Sequence, residues 1–154
     1  MGIGVFIDNI NIPKGQYIAE AIPRAIAESR FSVVVLSKGY ASSTWCLDEL
    51  VQFRVIKFYS WLRYDRALPV FYHLPPSGVS DLSSGCYKRD LDRHKEKFTY
   101  VRVNRWRLAL KSIADIAGWV LSDHQYVLVQ KFVLFVKTYS IYIYLLFIIK
   151  FWRF

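Results

Sequence analysis

The run Phe31-Ser32-Val33-Val34-Val35-Leu36 limits the folds open to this chain more than any other stretch. It is apolar on consecutive positions and rich in β-branched residues. That pattern predicts a strand covered on both faces, as in a parallel sheet, rather than a half-exposed antiparallel one. Ser37-Lys38-Gly39 closes the run, and the spacing of Leu47, Leu50, Val51, Val55 and Phe58 then predicts a helix over about 45–62 with one apolar stripe. The alternation recurs on both sides. Residues 2–7 predict a short first strand and residues 8–15 a loop punctuated by Pro13 and Gly15. A helix follows to Ser29, interrupted at Pro23, which lacks an amide hydrogen and whose ring clashes one turn back. Residues 67–72 predict a strand ended by Pro75-Pro76-Ser77-Gly78, and residues 84–98 a polar surface helix or irregular segment. Val103, Trp106, Leu110, Ile113 and Ala117 recur at steps of three and four and predict an amphipathic helix. Gly118 is expected to end it in a left-handed turn, with Trp119–Leu121 a last short strand. Strands and helices in such alternation predict an α/β chain with a parallel sheet flanked by helices.

The loop after the Phe31 strand carries the stretch with most chemical content, Ser42-Ser43-Thr44-Trp45-Cys46-Leu47-Asp48-Glu49-Leu50. It lies at the carboxyl edge of the expected sheet, where open α/β folds place ligands. Trp45 and Glu49 share a helix face one turn apart. An aromatic plate beside a carboxylate holds a flat ring and stabilises positive charge developing next to it. On the residues alone two plainer readings stand beside that one. An acid near a helix start suits the positive end of the dipole, and a tryptophan is commonly buried for area. Asp48 reads as a solvated or capping acid. His73, His94 and His124 are scattered and read as surface residues, as do Asp90 and Asp92 in their polar run. No metal-ligand spacing is found around Cys46 and Cys86, which fits a reduced setting better than a disulfide scaffold. The chain shows no phosphate-cradling glycine loop and no GxSxG elbow. The net charge of +9 comes with no nucleic-acid-binding motif or clustered basic helix, so no nucleic-acid partner is expected.

Several blocks together resemble a plant TIR (Toll/interleukin-1 receptor-like) domain: Gly2-Ile3-Gly4-Val5-Phe6-Ile7-Asp8, Ala25-Ile26-Ala27-Glu28-Ser29-Arg30, and Tyr40-Ala41-Ser42-Ser43-Thr44-Trp45-Cys46-Leu47-Asp48-Glu49-Leu50. The likeness continues in order through Leu68-Pro69-Val70-Phe71-Tyr72, Pro76-Ser77-Gly78-Val79, Gly85-Cys86-Tyr87 and Trp106-Arg107-Leu108-Ala109-Leu110 to Ala117-Gly118-Trp119. It implies a flavodoxin-like sheet and an immune-signalling module of the plant defence response, cytoplasmic, from a family that cleaves NAD+ between nicotinamide and ribose. NAD+ is then the substrate, with no cofactor and no metal. The family's catalytic glutamate matches Glu49 in the Trp-Cys-Leu-x-Glu-Leu pattern; Trp45 would line the nucleotide pocket and Ser43 add a polar contact. Residues 8–15 match a loop that borders the pocket and takes part in self-association, and other TIR domains are the implied protein partners.

The resemblance is incomplete at both ends. Family members begin with a strand and a Phe-Arg-Gly-x-Asp-Thr-Arg loop that have no counterpart after Met1, so the expectation is a TIR fold lacking its first strand and first helix. The first strand is central in a flavodoxin-like sheet. The resemblance also places basic and aromatic nucleotide contacts on the missing loop, so half of the expected pocket is lacking and weak or absent turnover is expected; a non-enzymatic TIR–TIR interaction module or a non-functional fragment stand as alternatives. Within the likeness, the family's Asp-Pro-Ser reads Pro75-Pro76-Ser77. The expected division is a partial TIR domain over 1–122 and a distinct tail over 123–154. From 125 to 154 every residue is apolar except Gln125, Gln130, Lys131, Lys137, Thr138, Ser140, Lys150 and Arg153. This tail admits three readings. Residues 132–149 are long enough for membrane attachment through a spanning helix flanked by Lys150 and Arg153. Ile141-Tyr142-Ile143-Tyr144 carries strong β propensity, which fits a soluble, aggregation-prone segment. The tail's Phe, Ile, Tyr, Leu and Lys also have the composition of translated A/T-rich intron sequence.

Overall fold

Strands with apolar residues on both faces suit a parallel sheet covered by helices, and the described parts of the chain form a parallel sheet with helix packed against it. The computed structural model describes residues 5–6, 24, 31–59, 66–122 and 143–146. The expected loop over 8–15 and the Pro23 interruption lie outside those residues. In chain order the elements are β1 (Val5–Phe6), β2 (Phe31–Ser37), a 3-10 turn (Tyr40–Ser42), α1 (Thr44–Tyr59) and β3 (Arg66–Tyr72). Then follow α2 (Pro76–Ser80), α3 (Lys88–Lys95), α4 (Tyr100–Ala114), β4 (Trp119–Leu121) and β5 (Ile143–Leu146).

The strands form one five-stranded sheet in the order β1-β5-β2-β3-β4, and every pairing is parallel. β2 and β3 run side by side along their length, from Phe31 opposite Arg66 to Ser37 opposite Tyr72. β4 joins only the carboxyl end of β3, from Val70 opposite Trp119 to Tyr72 opposite Leu121. The α/β class and parallel sheet expected from the sequence are thus present. Residues 143–146 of the tail overlap the segment of strong β propensity, and the rest of 132–149 lies outside the described residues. Among the described residues no helix is long and apolar enough to cross a membrane, and the four described residues of 132–149 form a strand inside the sheet.

Helix α4 packs on α1, α2, α3 and β3. Its Val103, Trp106, Leu110 and Ile113 are buried as their spacing predicts. Thr99 caps it, Oγ1 accepting from the amide of Arg102 at 3.4 Å. The helix stops at Ala114, so Ala117 lies beyond it and is exposed. Gly118 has a different role from the expected left-handed cap. A Cβ there would sit 2.2 Å from the Pro69 carbonyl oxygen. Glycine is needed because β4 enters the sheet against β3 at that point. The same contact explains how a proline fits inside β3: pairing with β4 starts one residue later, at Val70.

In α1 the buried face is rotated from the expected stripe. Leu47 and Leu50 are in the core and Val51 packs against it, but Phe53 is buried and Val55 is 49% exposed. The core face runs through Cys46, Glu49, Leu50 and Phe53, and Val55 stands about 180° around the helix from Cys46. The side chain of Phe58 lies outside the described residues. Segment 84–98 holds a helix, one of its two expected forms, but not a purely surface one: α3 buries Asp90, Leu91 and His94, with Tyr87 buried just before it.

Candidate functional site

β2 ends at Ser37 at the carboxyl edge of the sheet, and the chain reaches α1 through Lys38-Gly39 and the 3-10 turn. Ser43 is the residue before α1. Its carbonyl accepts from the amide of Leu47 at 3.2 Å, and its Oγ lies 3.4 Å from the donating amide of Cys46. Ser43 is therefore an N-cap that satisfies an amide the first turn leaves open. Its contact is with its own helix.

Trp45 and Glu49, one turn apart, are joined: the indole Nε1–H of Trp45 donates to Glu49 Oε1. Their environments differ sharply, since Glu49 is 3% exposed and Trp45 is 48% exposed. Burial for area does not account for an indole half in solvent, which removes the plain packing account of Trp45. The dipole account of Glu49 weakens as well, because an acid placed only for the dipole needs no burial. The arrangement is a shielded carboxylate, held on one oxygen by an indole N–H, with an aromatic face open beside it.

Three side chains hold the loop that leads into this pair. The Tyr87 hydroxyl donates to the Ser37 carbonyl at 2.8 Å. The Tyr40 hydroxyl donates to the Cys46 carbonyl at 3.1 Å. His94 Nε2 lies 2.9 Å from the Ala41 carbonyl; a carbonyl only accepts, so Nε2 carries the proton. Burial pushes the Tyr87 phenol well above its ordinary range, with the neighbouring Cys86 adding to the effect. It stays protonated and keeps donating. His94 is 7% exposed and packs edge-on against Phe98 and Trp106, at ring separations of 5.9 and 5.4 Å. This corrects its reading as a surface histidine. No spacing in the sequence signals the Tyr87 and His94 contacts, which join residues about fifty apart.

Asp48, expected to be solvated or a cap, fastens α1 to α4. It accepts from Trp106 Nε1 at 2.8 Å and from Arg102 Nη2 at 2.6 Å, and the Arg102 guanidinium lies over the Phe98 ring at 4.7 Å. Asp90, expected to face solvent, is 7% exposed and 3.8 Å from Arg93. Asp92 does face outward, between Lys88 and Lys95 at 2.7 and 2.5 Å. Among the described residues no group of His, Cys, Asp and Glu is placed to hold a metal ion, and Cys46 and Cys86 are free thiols. An open groove of about 650 Å³ along α3, with Cys86, Lys88, Arg89 and Arg93 in its wall, shares no residue with the Trp45–Glu49 pair.

A parallel sheet with helices, and a shielded carboxylate beside an exposed indole where a strand hands over to a helix, is the architecture of open α/β domains, a class whose ligands sit at the carboxyl edge of the sheet. Comparison with known proteins narrows this. A family model described as "TIR domain" matches residues 1–135. The chain is 38% identical over 125 residues to the disease resistance protein RPV1 of Vitis rotundifolia, covering 81% of this chain and 8% of that protein. It is 33% identical over 120 residues to the TMV resistance protein N of Nicotiana glutinosa, covering 76% and 10%. The chain thus spans about a tenth of the length of these curated relatives. In structure it is similar to the TIR domains of the activated Roq1 resistosome, which directly recognises the pathogen effector XopQ. That likeness has a TM-score of 0.76 and 34% identity, over 88% of this chain and 82% of the other. The chain belongs to the TIR domain family.

Proposed function

We propose that this chain is a TIR module of plant immune signalling that cleaves NAD+ between nicotinamide and ribose, with Glu49 as its catalytic carboxylate. The observation that carries the proposal is the Trp45–Glu49 pair: a 3% exposed carboxylate bonded to a 48% exposed indole. In this reading the bond from the nicotinamide nitrogen to ribose C1′ breaks. Its electron pair returns to the ring as neutral nicotinamide, leaving oxocarbenium charge on the ribose. Glu49 orients the ribose hydroxyls and stabilises that charge, while Trp45 presents a flat surface to a ring of the nucleotide. Water adds at C1′ and releases a proton, giving ADP-ribose; attack by an atom of the adenine gives a cyclic isomer instead. Nicotinamide leaves readily, so neither metal nor cofactor is required. Ser43 contributes by fixing the first turn of the helix that carries both residues.

The solved Roq1 resistosome contains several TIR domains, which extends the proposal to association with other TIR domains. Supporting it, Tyr100, Val101 and Leu108 of α4 are exposed large apolar residues. Quantifying nicotinamide released from NAD+ by the purified chain tests the enzymatic reading. Release that disappears in Glu49→Ala supports it; equal background in both proteins overturns it and leaves the interaction module.

A further inference from the structure

In a flavodoxin-like sheet of order 2-1-3-4-5, the strand first in the chain lies between the second and third. Here β1 and β2 correspond to the second and third by resemblance, and the strand between them is β5, from the far end of the sequence. It enters parallel to both neighbours. Ile143 lies opposite Val5 on one side and Phe31 on the other, Tyr144 opposite Phe6 and Ser32, then Leu145 opposite Val33 and Leu146 opposite Val34.

We propose that the position between β1 and β2 is a strand-binding slot. Its ligand is a short apolar parallel strand, and this chain fills it with its own segment Ile143–Leu146. Three observations converge. Ser32, Val33 and Val34, the stretch of β2 opposite β5, are each no more than 1% exposed. That burial is reached with β5 in place; without it the amides and carbonyls on this edge of β2 would lose their sheet partners and leave an open edge. Ile143-Tyr144-Leu145-Leu146 is apolar on consecutive positions, the composition of a strand covered on both faces rather than one facing water. The geometry of the return is also undemanding. β4 lies three strand spacings from β5, about 14 Å. Residues 122–142 exceed the dozen or so that a parallel crossover needs.

The slot matters for the site because β2 is held on one edge by β3 and on the other by β5. Ser37 at its end begins the loop to Ser43, Trp45 and Glu49. The C-terminal segment thereby becomes a condition for order at the carboxyl edge. This inference does not depend on NAD+ chemistry and is tested without it.

Amide hydrogen exchange on the full chain reads the pairing directly. In the unaltered protein, residues 143–146 are expected to exchange slowly and together with 31–34. Exchange of 143–146 at the rate of an unstructured chain overturns the proposal, whatever β2 does. The second arm uses Tyr144→Pro and Leu145→Pro, which remove amides aimed at opposite neighbours because successive residues of a strand point their amides to alternate sides. The variant that loses its bond to β2 is expected to speed exchange over 31–34 by about tenfold or more. Unchanged protection of 31–34 in both variants overturns it.

Discussion

Asp48 offers a quantitative test of how α1 is held, because two contacts of different worth meet on one carboxylate. Trp106 is fully buried, and its indole N–H donates to Asp48 Oδ1 at 2.8 Å. Asp48→Ala leaves that donor unsatisfied in the core, at a cost of about 1–3 kcal/mol. The Arg102 contact is worth less. Its side chains are 44% and 38% exposed, so solvent screens the pair to about 0–1 kcal/mol. Asp48→Ala is therefore expected to lose about 2–3 kcal/mol in urea unfolding, which lowers the melting temperature by about 4–12 °C for a chain of this size. Asp48→Asn keeps an acceptor for the indole and gives up only the charge, so its loss is expected to stay at about 1 kcal/mol or less. A double-mutant cycle with Trp106→Phe should return a coupling of about 1–2 kcal/mol. Equal losses in Asp48→Ala and Asp48→Asn would refute the argument, because they would make the exposed ion pair the main contact. Strict additivity with Trp106→Phe would refute it from the other side.

Three further outcomes follow from the geometry. Gly118→Ala places a Cβ 2.2 Å from the Pro69 carbonyl, and the resulting shift of β4 should cost about 1–3 kcal/mol in urea unfolding; an unchanged midpoint would contradict it. His94→Phe removes the donor to Ala41 from a buried site. It is expected to cost about 1–3 kcal/mol and to speed amide exchange at Ser42 and Ser43, read by exchange rates over 40–46. Hydrogen bonds from Lys88 and then Lys95 hold the Asp92 carboxyl down to about 2. Its folded value lies below its unfolded one, so its small contribution is present above about pH 4 and is lost as pH falls toward 2. A carboxyl titration by NMR should show that midpoint, rising toward the ordinary value in Lys88→Ala.

The parts of the fold legible in sequence are those fixed by local pattern. The β2 run, the α1 and α4 periodicities and the Trp45–Glu49 spacing each come from residues within a turn or two of one another, and the strands and helices stand close to where those patterns put them. The parts that escaped are set by contacts distant in the chain. Nothing in the polar run around Asp90 and His94 tells that α3 turns one face against Ala41 and Trp106. The α1 stripe was rotated because steps of three and four fit Val55 as well as Phe53, and only packing against α4 and the sheet selects between them. Gly118 resembled a helix cap because a glycine after an apolar run has that pattern, whereas its cause is a carbonyl on β3. The β5 segment was the hardest. Its apolar composition suits a membrane span, an aggregating strand and a buried parallel strand alike, and the choice depends on pairing with two strands from the other end of the chain.

The central claim is that Trp45 and Glu49 act as one unit on NAD+, and steady-state cleavage by four proteins tests it most directly: the unaltered chain, Trp45→Ala, Glu49→Ala and the double variant. Loss of the carboxylate should lower kcat by roughly 10²–10³. Loss of the indole removes both a stacking face and the donor that holds the carboxylate, so it should raise KM and lower kcat. The double variant should match Glu49→Ala in kcat, because the indole acts on that step through the carboxylate, while sharing the raised KM of Trp45→Ala. Turnover in Glu49→Ala equal to that of the unaltered chain would contradict the account.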